Sequence, residues 1–553
     1  MKITIHGQTK HFGGPLRLDA ALPSFYPDDW QQILGCFYQG RVLELSTLLD
    51  RTGEIEPITY EHEEGRRIYE RSLRFVFLLA ARRIFPGIMA RMEHSIGQGI
   101  YIELEHRRLN QADIAALEAE MRDLIAQDLP FTREKWTKQQ AIDYFTQEGD
   151  LDKARLLSYR PYDSFTVYRL QDMAEYFYGA MLPSTGRLAV FGLHLRAPGV
   201  VLQLPNKWAP DQPAPYLSAP KHMVAFAQSN YWCKVLRCST AADLNDLIAG
   251  GGLRDFIRVN EAFHDKSLSE IAQDIINRDA RAIFIAGPSS SGKTSFANRL
   301  SIHLRVNGLR PVILSMDDFY RDRHTQPLQA DGKPDLEALD ALDVPYFREC
   351  LGKLLAGQEA LMPRFNFQTG RREETLVPMR VEAIQPLIIE GIHGLNPALH
   401  EDIAPGMLCR IYISQLTVLN LDYHNRIRTT DARLLRRIVR DHQFRDTSPE
   451  ETLAMWDSVR RGEEKWIFPY QEAADIVFNS ALHYELPILK HQAYELLKQV
   501  PKTHPDYIKC ARILKILHYF LPVDPGVLDE IPPLSILREF IGGSPLYEHP
   551  AQH

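Results

Sequence analysis

Long apolar runs are missing from this chain of 553 residues. The most apolar candidate, Phe75-Val76-Phe77-Leu78-Leu79-Ala80-Ala81, stops at Arg82-Arg83, well short of the roughly 20 residues a spanning helix needs. The start, Met1-Lys2-Ile3-Thr4-Ile5-His6, has no apolar core, so a secretory leader is not expected. Cysteine is scarce, with six residues at 36, 233, 238, 350, 409 and 510. Cys233 and Cys238 stand closest, with no second pair and no nearby histidine. That argues against zinc or a disulfide framework and for buried thiols in a reducing cytoplasm. No sign of charge dominates: a net charge of −7 gives no general pull towards nucleic acid or an anionic membrane, leaving only local patches. Repeats and low-complexity segments are also missing. What remains is an ordinary globular composition, 45% hydrophobic and 24% charged, long enough for three or four domains.

Residues 1–60 read as a small strand-rich module. Lys2-Ile3-Thr4-Ile5-His6 and Arg41-Val42-Leu43-Glu44-Leu45 alternate, and Gly13-Gly14-Pro15 punctuates them. Residues 61–205 mix helices and strands. A helix is expected over 66–84, a strand runs to Leu104 after Gly97-Gln98-Gly99, and Asn110 caps a helix carrying Ile114, Leu117, Met121 and Leu124. Prolines at 205, 210, 213, 215 and 220 mark a linker. Residues 206–280 therefore read as a linker and bridging segment, with helical pieces at 241–248 and 268–278. Ser267 and Glu270 have capping-box spacing before the second piece.

The strongest motif follows. Ala282-Ile283-Phe284-Ile285-Ala286 runs into Gly287-Pro288-Ser289-Ser290-Ser291-Gly292-Lys293-Thr294-Ser295, the pattern Gly-x-x-x-x-Gly-Lys-Thr between a strand and a helix. Glycine at both ends lets backbone N–H groups turn inward around phosphate oxygens. Lys293 would reach the β- and γ-phosphates of a nucleoside triphosphate, and the Thr294 hydroxyl would hold Mg²⁺. The helix N-terminus adds a positive dipole end. Apolar runs at 312–315, 386–389, 408–413 and 475–478 alternate with helices, which argues an α/β domain over 281–490, its parallel sheet covered on both faces.

Two carboxylates stand where ligand groups gather in such a sheet. Asp317 follows the second strand and can take the proton of an attacking hydroxyl, although an aspartate there also serves as a cap or turn. Glu390 ends the buried run Leu387-Ile388-Ile389 and would bind Mg²⁺ directly or through water. Further on, Leu434, Leu435, Ile438 and Val439 form a stripe, and Arg433, Arg436, Arg437 and Arg440 cover much of the rest. This is either a solvated charged face or a mobile lid whose guanidinium groups neutralise phosphate charge. Residues 491–553 carry helical pattern, and the apolar part of 534–544 is expected to dock on the α/β domain.

These motifs resemble those of the uridine kinase and phosphoribulokinase family of P-loop kinases. Its uridine–cytidine kinases read S-x-D-S-F-Y-R where this chain has Ser315-Met316-Asp317-Asp318-Phe319-Tyr320-Arg321. They read P-x-Y-D-F-x-x-H-x-R where it has Pro363 to Arg372, F-E-G at Ile389-Glu390-Gly391, and R-L-x-R-R-V-x-R-D at Arg433 to Asp441. The resemblance implies that Lys293, Asp317 and Arg437 are catalytic with ATP as donor, and that Thr294 and Glu390 organise Mg²⁺. It implies that Arg433, Arg436 and Arg440 belong to a lid, and that Glu337, Phe365, Arg372 and Arg437 meet the acceptor. The departures fall on the acceptor side: a base-contacting Tyr becomes Phe365, a His becomes Gly370, a ribose-gripping Asp becomes Glu337, and one lid Arg falls on Thr447. The implied reaction is phosphorylation of a small-molecule hydroxyl, first the 5′-hydroxyl of a uridine- or cytidine-like nucleoside, with another hydroxyl such as that of a sugar phosphate as the alternative.

The order of a strand-rich module, a helix, a Gly-rich strand, a Glu-rich helix and Leu182-Pro183-Ser184-Thr185-Gly186 resembles the N-terminal half of threonyl-tRNA synthetases. That implies a TGS β-grasp over 1–60 and an editing-like domain over 61–205. The family's H-x-x-x-H and C-x-x-x-H pairs fall on Arg71 and Phe75, and on Phe177 and Met181. None of these can serve as the original ligand or base, so editing chemistry is expected to be lost. A scaffold, a substrate sensor or an RNA-binding relic remain open, and so does an ATP-switched tRNA-associated protein. The fusion resembles a bacterial class of long nucleoside kinases ending in S-I-L-R-E-F-I-G-G-S, like residues 535–544. No membrane association is implied, and the sequence says nothing of oligomeric state.

Overall fold

The computed structural model describes residues 1–546 except 330, 331, 333 and 418. Alternation in the first residues builds a β-grasp arrangement. Lys2–Ile5 pairs antiparallel with Gln8–His11 and parallel with Gly53–Glu54. The helix Leu18–Phe25 buries Leu18 and Leu22 in the same core as Ile3 and Ile5.

The next helix, Glu63–Ile84, starts earlier than its apolar pattern suggests. The His62 side chain accepts the Glu64 N–H, and two acids occupy the first turn. It shares a core with the helix Gln111–Ala126 and with an antiparallel sheet of Gly192–Arg196, Gly199–Gln203, Gly99–Leu104 and Ala90–Ile96.

The expected linker is not one. Pro205–Asn206 and Ala209–Pro213 pair as a short hairpin, and Pro220 opens the helix Pro220–Val235, where its missing N–H costs nothing. The piece expected at 268–278 belongs to a helix of 25 residues, Leu253–Asn277, so Ser267 and Glu270 lie inside it and cap nothing. That helix shares its core with the α/β domain: Phe256, Ile257 and Leu268 join Phe296 and Leu300. Residues 206–280 are thus part of the packed body.

The α/β domain has five parallel strands: β1 (Ala282–Ala286), β2 (Val312–Ser315), β3 (Leu387–Glu390), β4 (Leu408–Ser414) and β5 (Ile476–Asn479), in the order β2-β3-β1-β4-β5. Period-two alternation sends Ile283, Ile285, Ile388 and Ile411 to one apolar core and Phe284, Leu314, Leu387 and Ile389 to another. Helices therefore cover both faces, as near-continuous apolar strands require. The register places Glu390 beside Ile285 on one side and Ser315 on the other. The C-terminal helices Glu485–Gln499 and Tyr507–Leu517 and the short Arg538–Ile541 pack on this domain. All six cysteines are free and buried. Among the described residues, no helix is long and apolar enough to cross a membrane.

Candidate active site

Beyond β1 the chain enters the glycine-bounded loop. A side chain at Gly287 would collide with the Ile413 carbonyl. Gly292 has φ +88°, and a Cβ there would also come within 2.6 Å of Ile536. Ser290 shares the left-handed region at φ 59°, an uncommon conformation for a residue with a side chain. The buried Ser290 and Ser291 hydroxyls have no hydrogen-bond partner among the described residues. Lys293 and Thr294 open the helix Lys293–Val306, and Lys293 Nζ donates back to the Gly287 carbonyl at 3.0 Å. Ser295 Oγ donates to Glu539 at 2.8 Å. The result is a ring of polar groups at a helix N-terminus, the arrangement that binds phosphate.

Two strand ends bring the carboxylates to this ring. Ser315 Oγ accepts the Asp317 N–H at 3.3 Å and donates to Glu390 at 3.4 Å, so one hydroxyl joins the two acids' segments. Burial raises the Asp317 carboxyl, against the pull of Lys293. Burial and then the Asp317 charge push Glu390 up to about 7. Glu337 is also raised to about 7, by burial and then by Glu463, while Arg437 and Lys293 oppose the shift. These groups share one electrostatic neighbourhood with a surplus of acid. Acidic oxygens that repel one another close to Lys293 fit a hard divalent cation.

The arginine helix, Thr429–Phe444, corrects the lid expectation. Arg433 and Arg436 are 1% and 0% exposed. Arg433 pairs with Glu463 and donates to the Ser289 carbonyl at 2.9 Å. Arg436 pairs with Glu485 and donates to the Ser480 carbonyl at 2.8 Å. Arg440 binds its neighbour Asp441 at 2.7 Å. With other helices packed against this one, guanidinium groups facing them must be paired, since an unpaired buried charge costs several kcal/mol. Arg437 lies 3.1 Å from the buried Asp441 and also donates to Ser289 Oγ of the phosphate loop at 2.8 Å.

On the acceptor side, Phe365 is buried in a ring trio with Tyr320 and Phe367, at centroid distances of 5.6 and 5.0 Å. Gly370, at φ +68°, leaves a space that Arg323 fills: a Cβ there would meet Arg323 Nε at 2.9 Å. Glu337 lies against Gly462, where a Cβ would collide with it. Arg372 is not free to meet an acceptor. It donates to the Tyr320 and Phe319 carbonyls at 3.0 and 2.9 Å and to Asp343 at 3.1 Å, bracing the turn that carries Asp317. Glu463 escaped sequence reasoning. It accepts the Ser289 N–H at 3.0 Å, but in its helix it is one acid among several, without a distinguishing pattern.

In the front half, Phe75 and Phe177 meet edge to face at 5.4 Å, with Phe131 stacked on Phe75. Met181 is buried with them, and Arg71 donates to the Ala180 carbonyl. The place of the editing pairs is filled by packed side chains.

Comparison with known proteins bears on both halves. Residues 282–486 match the model of the Phosphoribulokinase / Uridine kinase family. A threonine–tRNA ligase of Streptococcus agalactiae is 28% identical over 158 residues, covering 28% of this chain and 24% of that protein. One from Nitratidesulfovibrio vulgaris is 29% identical over 196 residues, covering 35% and 30%. The chain spans about a quarter of the length of the curated relatives it matches. Among solved structures, a possible uridine kinase from Bacillus stearothermophilus is 19% identical, covering 41% of this chain and all of that one with a TM-score of 0.26.

Proposed function

Because the chain joins a phosphoribulokinase / uridine kinase family domain to a front half similar to threonine–tRNA ligases, we propose that it is an ATP-dependent kinase whose acceptor is the 5′-hydroxyl of a pyrimidine nucleoside. The observation that carries this reading is the meeting of Lys293, Asp317 and Glu390 at the ends of β1, β2 and β3, beside an intact phosphate loop. The backbone amides of 287–295 and the helix N-terminus hold the triphosphate. Lys293 leaves the Gly287 carbonyl and stabilises the transferred phosphoryl group, with Arg437 beside it. Thr294 and Glu390 would hold Mg²⁺, which when bound supplies neutralisation of charge on the phosphate oxygens. Asp317 accepts the proton of the attacking hydroxyl, and a carboxyl raised by burial is the stronger proton acceptor. Phe365 offers a face for a flat base.

One observation favours a second acceptor class. Arg323 lies over Gly370, where a neutral base contact is lost, and a guanidinium there suits an anionic acceptor such as a sugar phosphate. A screen of nucleosides and sugar phosphates for acceptor-dependent ADP release tests both. Pyrimidine nucleosides are expected to give the strongest release. A strong response to sugar phosphates alone selects the second class, and no response to any acceptor rejects the kinase reading.

A further inference from the structure

The residues before the arginine helix direct their polar groups to the front half. Met92 N–H donates to the Tyr423 carbonyl at 2.9 Å. Arg74 donates to the His424 carbonyl at 3.1 Å, Asn425 to the Tyr176 carbonyl at 3.0 Å, and Arg426 to the Glu93 carbonyl at 3.1 Å. Arg428 pairs with Glu70.

The helix is fastened again in its first turn. Asp431, 4% exposed, accepts from Arg67 at 3.0 and 3.2 Å and from Arg512 at 2.9 Å. Arg67 comes from the helix Glu63–Ile84 of the front half and Arg512 from the helix Tyr507–Leu517 near the C-terminus. Glu63 and Glu64 complete the cluster. Although burial works against it, Arg512 and Arg67 hold the Asp431 carboxyl below the usual carboxylate range. Six residues further along the same helix, Arg437 meets Ser289 of the phosphate loop. A helix transmits a displacement at its root over that length of about 9 Å.

We propose that Asp431 is a positioning residue for phosphoryl transfer, and that the front half, through Arg67, is the anchor that sets Arg437 on the phosphate loop. This rests on the kinase reading above. A lid free to swing needs a loose segment before its helix, and here that segment is tied to residues 67–178. Only a fixed root lets a guanidinium arrive at the triphosphate without reorganisation, and misplacement by about 1 Å is enough to lose most of its effect. On this reading the front half of the chain completes the site built by the other half.

The test uses the full chain, with ATP and ADP affinities from calorimetry and hydrogen exchange across 429–440. Asp431→Asn keeps the side chain's shape. It is expected to weaken ATP binding about tenfold and ADP binding far less, as Arg437→Ala does, from the loss of one charge-assisted contact. In the double variant, Asp431→Asn should add nothing to Arg437→Ala, because it acts through that arginine. Amides at 433–440 should exchange faster in Asp431→Asn. Arg67→Lys, which retains the charge, should give a weaker form of the same pattern if Asp431→Asn folds poorly. Additive losses in the double variant overturn the proposal, and so do wild-type ATP affinity and exchange in Asp431→Asn. A wild-type chain that does not bind ATP rejects the kinase reading instead, and the exchange data still decide whether the anchor exists.

Discussion

Ser315 Oγ links the Asp317 backbone N–H to the Glu390 carboxylate, and the kinase proposal gives the two acids different work. Asp317→Asn removes the proposed proton acceptor without changing the side chain's shape. It is expected to lower phosphotransfer at least about a thousandfold while ATP still binds, checked by ADP release against nucleotide titration. Glu390, pushed up to about 7, is partly protonated near neutral pH without metal. Mg²⁺ affinity should therefore fall as pH drops from 8 to 6, readable by calorimetry. A carboxyl raised in the fold contributes stability while protonated, and the contribution is lost as pH rises through about 7. Glu390→Gln should accordingly raise the metal-free stability at pH 8 by on the order of 2 kcal/mol and change it little at pH 5. Equal effects at both pH values would contradict the assignment. Lys293 was legible from its glycine-bounded motif, and Asp317 and Glu390 from their places at the ends of apolar strand runs, all local signals. Arg372 and Glu463 were not, because their roles depend on carbonyls and amides far away in the chain.

The arginine helix shows the same division at the level of an element. Its apolar stripe was readable, and the helix forms where the pattern places it. Which arginines face phosphate was not readable, because Glu463 and Glu485, the partners of Arg433 and Arg436, lie on two other helices. Arg436→Ala leaves Glu485 without its buried partner and should cost about 3–5 kcal/mol in urea denaturation. Arg437→Ala leaves Asp441 with Arg440 and Arg445 as partners, so it should cost less stability than Arg436→Ala while weakening ATP binding. Equal stability losses in the two variants would argue that Arg437 is structural as well. The helix Leu253–Asn277 teaches a related lesson. A capping-box spacing inside a long amphipathic run is only two polar residues, and packing against the α/β core decides where the helix starts.

At the scale of the whole molecule, composition suggested separable modules, and proline spacing suggested a linker between them. The structure instead runs one core from 141 to 541 across both halves, and buried ion pairs join Arg67, Asp431 and Arg512. Proline was misleading because a hairpin edge and a first helical turn tolerate it as well as a linker does. A chain shortened to 206–553 should therefore lose cooperative unfolding and ATP binding, which calorimetry would show. The β-grasp and the editing-like unit were legible in outline, and the expectation that editing chemistry is lost rests on Arg71, Phe75, Phe177 and Met181. The central claim, that this body moves phosphate from ATP to a small-molecule hydroxyl, is tested most directly by acceptor-dependent ADP release, measured side by side in the wild-type chain and in Asp317→Asn. The account predicts release with one acceptor class in the wild type and its loss in the variant. No acceptor-dependent release, or the same release in both, would contradict it.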